Sequence, residues 1–365
     1  MSRLLLISLG QLTGHILDSV ARTGAFAEIV VAGRNPTYGI ARTNLARIGA
    51  GIEGRFPSIE FRELDINRTG AAAEIRRIAP DVALAAPSML PWWKLDRLSG
   101  RRGEAARQVP FAGWLACHLA PMLAVRRAWA ESGLDAPWVG ASYPDVVNAI
   151  LHRTGPGPGC GVGNVDEIVP KIRMVLAAAT GHEPETVEVR LVAQHALEYF
   201  AYRDGGAAAG EMPPFLITAS AAGRDLSALA REAISQPWPI PYDRDFNRLT
   251  ASSAAVLLPA LAGRSAVRMH VPAPAGLIGG YPVRIAARRV TLDLAPEWRQ
   301  DEAVASNLAA LPWDGLETIE NDGAAVFTAA TTRALHALLG RAVEGLHPDD
   351  APALAEDLLA AVDAG

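Results

Sequence analysis

His195 closes an apolar run, "LVAQHALEYF" (Leu191–Phe200), in which a strand-like stretch stops at Gln194-His195 and a different pattern resumes. An imidazole titrates near neutral pH, so a histidine at a strand end can take or give a proton in a reaction. The competing reading is a polar residue that fills a gap. A second stretch, "SLGQLTGHIL", carries Gly10 and Gly14 between an apolar run and a helical pattern. A glycine turn there lets a pyrophosphate approach the backbone while the helix N-terminus supplies positive potential. The spacing is GxxxG and not GxGxxG, and a strand-to-helix turn also uses glycine for its backbone freedom alone. The candidate cofactor contacts are Gly10, Gln11, Leu12, Thr13 and Gly14, with Pro87 after a later strand.

After the second apolar strand the chain reads Gly33-Arg34-Asn35. A carboxylate there would bond the adenine ribose of NAD, whereas an arginine pairs with a 2′-phosphate through charge-assisted hydrogen bonds. The expectation is therefore NADP(H), with NAD as the alternative, and the competing reading makes Arg34 a solvated loop residue. Lys94 and Lys171 are the only lysines in an arginine-rich chain, which draws attention to both, although two surface lysines are the plain reading.

These residues need a scaffold. Short strands alternate with helices from Leu4 to Ala86: strands near Leu4–Ser8, Ala27–Ala32, Glu60–Asp65 and Asp81–Ala86, helices near Thr13–Ala25, Gly39–Ile48 and Ala71–Ile78. That alternation signals a parallel sheet wound by helices. "PSMLPWWKLDRLSGRRGEAARQ" (87–108) reads as a polar, Trp-containing loop, followed by a long helix near Pro110–Ser132 and a fifth strand at Trp138–Ala141. "GPGPGCGVGN" breaks regular structure. The expected architecture is α/β: a Rossmann-type parallel-sheet domain over 1–155, then an α+β substrate domain over 156–365. Helices are expected near 166–180, 251–261, 323–339 and 351–364, with strands near 187–194, 215–219, 266–272, 281–286 and 289–294.

At 365 residues the chain can bury two sizeable cores. The net charge of −5, with no long basic stripe, argues against a nucleic-acid partner. No apolar run reaches membrane-spanning length, and "MSRLLLISLGQ" reads as a first strand and not as a leader peptide. Cys117 and Cys160 lie far apart in unlike contexts, which points to a reducing cytoplasm. Cys117 and His118 read as filling on the long helix.

The ordered set of segments resembles the lactate/malate dehydrogenase superfamily. "PWVGASYPDVVNAILHRTG" is similar to that family's strand followed by Asn-Pro-x-Asp and a helix, with Tyr143 in place of Asn and with Pro144 and Asp145 matching. "GCGVGNVDEIVPKIR" resembles its Gly-x-Gly-x-x-Leu-Asp segment at Gly161, Gly163 and Asp166. "VAQHALEYF" resembles its histidine motif, with His195 on the histidine. "LTASSAAVLLPAL" and "VPAPAGLIGGYPVRIAARRVTLDL" resemble its small-residue helix and closing strand pair. The resemblance implies hydride transfer between nicotinamide and a hydroxy or keto compound, with His195 as acid–base and Asp166 as its orienting carboxylate. It also implies a homodimer or homotetramer acting on a small molecule.

The departures are as specific. Where the family places an arginine to clamp the substrate carboxylate, this chain has Val169, with Lys171 and Arg173 just beyond. The loop that carries two further arginines in the family here holds Lys94, Arg97, Arg101 and Arg102. Lys94, Asn148, Lys171, Arg173 and Arg248 are the substrate-contact candidates, and the substrate is expected to be atypical. No metal is expected in this reading. The alternatives are an NAD- and metal-dependent glycosidase-like hydrolase, with Cys160 and His195 as ligands, and a nucleotide-binding protein without catalysis.

Overall fold

The computed structural model describes residues 2–95, 100–202 and 212–363, with the side chains of Arg101 and Arg102 outside the description. The first half runs β1 (Arg3–Ile7), α1 (Gln11–Thr23), β2 (Glu28–Gly33), α2 (Pro36–Ile52), β3 (Ser58–Glu63), α3 (Ala71–Ile78), β4 (Val82–Ala85), α4 (Trp92–Leu95), α5 (Gly100–Gln108), α6 (Leu115–Ser132) and β5 (Trp138–Gly140). The strands form a parallel sheet in the order β3-β2-β1-β4-β5. This is a Rossmann-type sheet, and its order reverses between β1 and β4.

The sequence of β1 explains why it lies at the centre. Leu5 and Ile7 point into one apolar cluster with Val30, Ala83 and Leu115, while Leu4 and Leu6 point into the other with Ile16, Ile29 and Leu258. A strand buried on both faces reads as a continuous apolar run because successive side chains alternate between faces. Each fully buried leucine contributes about 1.5–3 kcal/mol.

The second half runs α7 (Pro144–Arg153), α8 (Val165–Thr180), β6 (Glu188–Ala193), α9 (Ala196–Tyr202), β7 (Phe215–Ala221), β8 (Arg224–Asp225), α10 (Ser227–Ser235), α11 (Asn247–Leu261), β9 (Val267–Pro272), β10 (Gly280–Ala286), β11 (Arg289–Leu292), α12 (Gln300–Asp314), β12 (Leu316–Ile319), β13 (Ala325–Phe327), α13 (Ala329–Leu339), β14 (Gly345–Leu346) and α14 (Ala351–Asp363). An antiparallel sheet in the order β11-β10-β6-β7-β8, with β9 also paired to β10, forms a second lobe. α8 and α10 cover one face of this sheet. The small residues of α11 let it pack closely on α1, which ties the two lobes together.

Three expectations need correction. The stretch 87–108 is not all loop, because it contains α4 and α5. The helix expected from Gly323 begins only at Ala329, where the Thr328 side chain accepts from the Thr331 amide. Ala325–Phe327 instead forms a strand between β12 and β14. The residues after 156 also do not stay in one lobe: Leu354, Ala355 and Leu358 of α14 pack in the same cluster as Val125 and Ala128 of α6. The apolar face of α6 needs that cover, so the C-terminus returns to the first lobe.

Candidate active site

A cavity of about 530 Å³ opens at the carboxyl ends of the parallel strands, where the strand order reverses. Ser8 and Gly10 after β1, Ala86 and Ser88 after β4, and Ala141–Tyr143 after β5 form one wall. In open α/β sheets this crevice is where ligands bind.

The glycine turn lies on this wall, with Gly10, Gln11, Leu12 and Thr13 all lining the cavity. Helix α1 starts there with no side chain capping its amides. The Thr13 hydroxyl is buried without a partner, and a Cβ on Gly10 would meet nothing within 4 Å. Open amides at a helix N-terminus beside an unpaired hydroxyl fit the pyrophosphate of a dinucleotide. Gly14 is off the wall. A Cβ there would come within 3.0 Å of the Arg42 guanidinium, which donates to the Gly14 carbonyl and to Asp18, so this glycine serves helix packing. Pro87 is also off the wall. It is buried, and its carbonyl accepts from Ser142 Oγ. Arg34 is exposed at the end of β2, and Asn35 caps α2 by accepting from the Tyr38 amide.

His195 lies on the opposite wall, at the turn between β6 and α9. Its backbone amide donates to Asp145 Oδ2 at 2.6 Å, and its ring lies 5.0 Å from Phe111 and 5.1 Å from Tyr199. The imidazole Nδ1 is 3.4 Å from Oδ1 of Asp314, the fully buried last residue of α12. Asp314 Oδ2 accepts from the Tyr143 hydroxyl and, at 3.1 Å, from Gln194 Nε2. A carboxylate in the last turn of a helix sits against the helix dipole. Here three donors offset that cost. Tyr143 adopts a left-handed backbone (φ 46°) to take part, a strain of the kind that collects at functional sites.

The electrostatics follow from this arrangement. Burial disfavours the charged imidazole, but Asp314 outweighs it, helped by Glu198 and Asp145, and His195 is pushed up to about 9. Asp314 is held below the usual carboxylate range. Its burial acts the other way, and the histidine charge and the donated hydrogen bonds overcome it. Burial pushes Asp145 up to about 7. The result is a histidine that carries its proton at neutral pH, faces a cavity, and is fixed by a buried carboxylate. Such a couple can exchange a proton with a bound oxygen.

The carboxylate expected beside His195 was Asp166, and the structure corrects that pairing. Asp166 Oδ1 accepts from the His270 amide at 3.0 Å and staples α8 to β9. The next residue, Glu167, is rotated about 100° around the helix and lines the cavity instead. Thr250 Oγ1 donates to it at 2.5 Å, and Tyr242 donates to the neighbouring Glu198 at 3.2 Å. Burial first, and then the charge of Glu198, raise Glu167 well above its usual range, and burial raises Glu198 too.

The expected substrate contacts are elsewhere. Lys171 is buried and donates to the carbonyls of Ala201 and Ile234, both at 2.8 Å, which pins α9 and α10 to α8. Asn148 is buried and bonds the Gly140 carbonyl, where a side chain on Gly140 could not fit. Arg248 is exposed and pairs with Asp245. Arg173 is half-buried on α8, near Asp166 and His270, and Lys94 is exposed on α4; neither lines the cavity. Arg97 lies outside the described residues. Arg107 of α5 does line the cavity. Cys160 is buried behind β5, off the wall that carries His195. Among the described residues no group of three or more His, Cys, Asp or Glu side chains is arranged to hold a metal ion.

Sequence reasoning missed Asp314, Glu167, Glu198 and Tyr242. The first had a local signal in "LPWDG": an acid just before a helix-ending glycine, where the dipole disfavours it.

Together the order of the parallel sheet, the switch-point crevice and the second, antiparallel lobe define a Rossmann-type α/β fold of two lobes. No protein-family model matches the sequence, and no curated protein matches it. Solved structures do match in shape. The malate dehydrogenase of Cryptosporidium parvum aligns with a TM-score of 0.55 at 11% identity, over 98% of this chain and 99% of that one. The minor L-lactate dehydrogenase of Enterococcus mundtii aligns at 0.55 and 12% identity, over 85% and 95%. Plasmodium falciparum malate dehydrogenase in complex with NADH aligns at 0.51 and 10% identity, over 92% and 99%. The chain has the lactate/malate dehydrogenase fold.

Proposed function

We propose that this protein is a nicotinamide-dependent oxidoreductase, with NADP(H) preferred, acting on the hydroxy or keto group of an atypical small molecule. The observation that carries the reading is the His195–Asp314 couple on the wall of the cavity whose other wall is the open turn Gly10–Thr13. The solved structures of similar shape are lactate and malate dehydrogenases, one of them bound to NADH.

The bound nicotinamide supplies hydride acceptance and donation. The protein supplies the rest. The amides of α1 and the Thr13 hydroxyl hold the pyrophosphate. Arg34 meets a 2′-phosphate, and positions 33–35 offer no carboxylate to repel it. With Nδ1 turned to Asp314, His195 uses Nε2 to take the proton from a hydroxyl, or to return it to a carbonyl oxygen. Asp314 fixes the ring and stabilises its cation, and Phe111 and Tyr199 flank it.

The working unit is a homodimer or homotetramer. On α2 and the turn after it, Ile40, Leu45, Ile48, Ile52 and Phe56 are 53–85% exposed, a stripe of apolar surface that a second subunit would cover. Two buried free cysteines suit a reducing, cytoplasmic setting. Among the described residues no helix is long and apolar enough to cross a membrane.

The test is a titration with NADP⁺ and NAD⁺ followed by a screen of alcohols and carbonyl compounds at the nicotinamide absorbance. NADP⁺ binding and turnover that vanishes in His195→Asn support the reading. Unchanged turnover in that variant removes the proposed mechanism.

A further inference from the structure

We infer that the cavity takes a substrate bearing a positively charged amine beside its reacting hydroxyl or carbonyl: an amino alcohol, or the corresponding amino ketone. This rests on the redox reading above and names its substrate class.

Three observations carry it. The first is charge. Glu167 and Glu198, 6% and 5% exposed, line the cavity together and present two carboxyl groups, the acceptors an ammonium needs, to the ligand. Glu198 lies one backbone turn from His195, with its amide donating to the His195 carbonyl at 3.0 Å. Both residues line the same cavity, so one ligand can reach the two. Lys171, Arg173, Arg248 and Lys94, the cations expected to contact the substrate, are off the wall, and Arg107 is on it.

The second is the lining beside that pair. Tyr242 has ring centroids 5.4 Å from Trp92, 6.3 Å from Tyr199 and 4.9 Å from Phe246, and all four residues line the cavity. Aromatic faces attract ammonium groups, most strongly where water is excluded. The third is the unpaired polar groups of the same cavity. Trp114, 1% exposed, has an indole N–H without an acceptor, and His118, 6% exposed, has Nδ1 without a partner. A ligand whose hydroxyl or carbonyl oxygen is bound in this cavity offers these groups a partner.

In the oxidising direction the carbinol loses hydride to the oxidised nicotinamide cofactor and its hydroxyl proton to His195, so the C–H and O–H bonds break as the C=O bond forms. The amine keeps its proton throughout, held by Glu198.

Arg107 also lines the cavity and could serve a carboxylate, so the experiment compares three ligands that share one carbinol carbon. These are 2-amino-1-phenylethanol, its uncharged analogue 1-phenyl-1-propanol, and mandelate. Calorimetry on the full chain with NADP⁺ present is expected to show the ammonium compound binding about tenfold or more tighter than the uncharged analogue. Mandelate should bind weaker still. In Glu198→Gln the ratio of the first to the second should collapse toward one. Equal binding of the first two ligands in the wild-type protein, tighter binding of mandelate, or an unchanged ratio in Glu198→Gln overturns the inference. Turnover of the same three compounds is read separately. Ammonium-selective binding without hydride transfer defeats the redox reading and not the charge assignment. Turnover of the uncharged alcohol without ammonium preference does the reverse.

Discussion

The two ends of the cavity are built by different means. At the glycine turn the groups offered to the cavity are backbone amides and one hydroxyl, set by the path of the chain from β1 into α1. At the His195 end the lining consists of side chains delivered by α8, α9, α12 and the segment ahead of α11, which are far apart along the chain and meet through packing in the second lobe. Backbone recognition tolerates sequence change, because any residue supplies an amide. Side-chain recognition does not, and the lining here carries two glutamates, aromatic rings and Arg107, while Val169 stands where the resemblance led to an arginine. A shared fold at 10–12% identity is compatible with that split.

The sharpest way to break the comparison is at Asp314. Asp314→Asn removes the charge that orients and supports His195, and kcat is expected to fall about 10³–10⁴-fold. Nucleotide affinity, set at the other end, should barely change. A kcat within tenfold of wild type would show that the couple is structural.

The pH dependence comes next. With His195 at about 9, kcat/KM for oxidation should rise about tenfold per pH unit up to that value, and for reduction should fall above it. Stability carries the same sign. The folded value lies above the ordinary 6.5, so the ion pair stabilises fully below pH 6.5 and is lost as pH rises through 9. Lys171, whose burial lowers it to about 8, acts in the opposite sense above that pH. The difference in melting temperature between wild type and His195→Asn therefore isolates the histidine, and it should shrink from pH 6.5 to 9.5.

At the cofactor end, Arg34→Asp should lower the NADP/NAD preference about 10–100-fold, the worth of a charge-assisted contact. Kinetics with both nucleotides measure it, and an unchanged ratio rejects the 2′-phosphate role. The smallest effect on turnover is expected at Asp166. Asp166→Ala leaves the His270 amide unpaired and costs about 1–3 kcal/mol of stability. Its kcat should stay within a few-fold of wild type, and denaturant unfolding alongside kinetics tests both. Loss of turnover without loss of stability would restore Asp166 as the partner of His195.

The strands of the first lobe were legible because each is an apolar run bounded by a turn, and the glycine turn was legible because its function is local. His195 was singled out through the resemblance of its neighbourhood, while the carboxylate beside it is Asp314 and not Asp166. Asp166 and Glu167 are adjacent letters with opposite destinations, and only the rotation of α8 against β9 and β10 decides which faces the cavity. Lys171 drew attention as a rare lysine, yet its ammonium ends on two backbone carbonyls.

By itself the sequence determined the order of strands and helices from β1 to β4, the parallel sheet with both faces buried, the glycine turn after β1 and the histidine at the end of β6. These depend on short-range periodicity and on residues a few positions apart. Tertiary structure alone decided that a carboxylate 119 residues away holds that histidine, that two glutamates share the cavity, and that the C-terminal helices return to the first lobe. Such pairings depend on where chain ends meet in space, and separation along the chain carries no record of that.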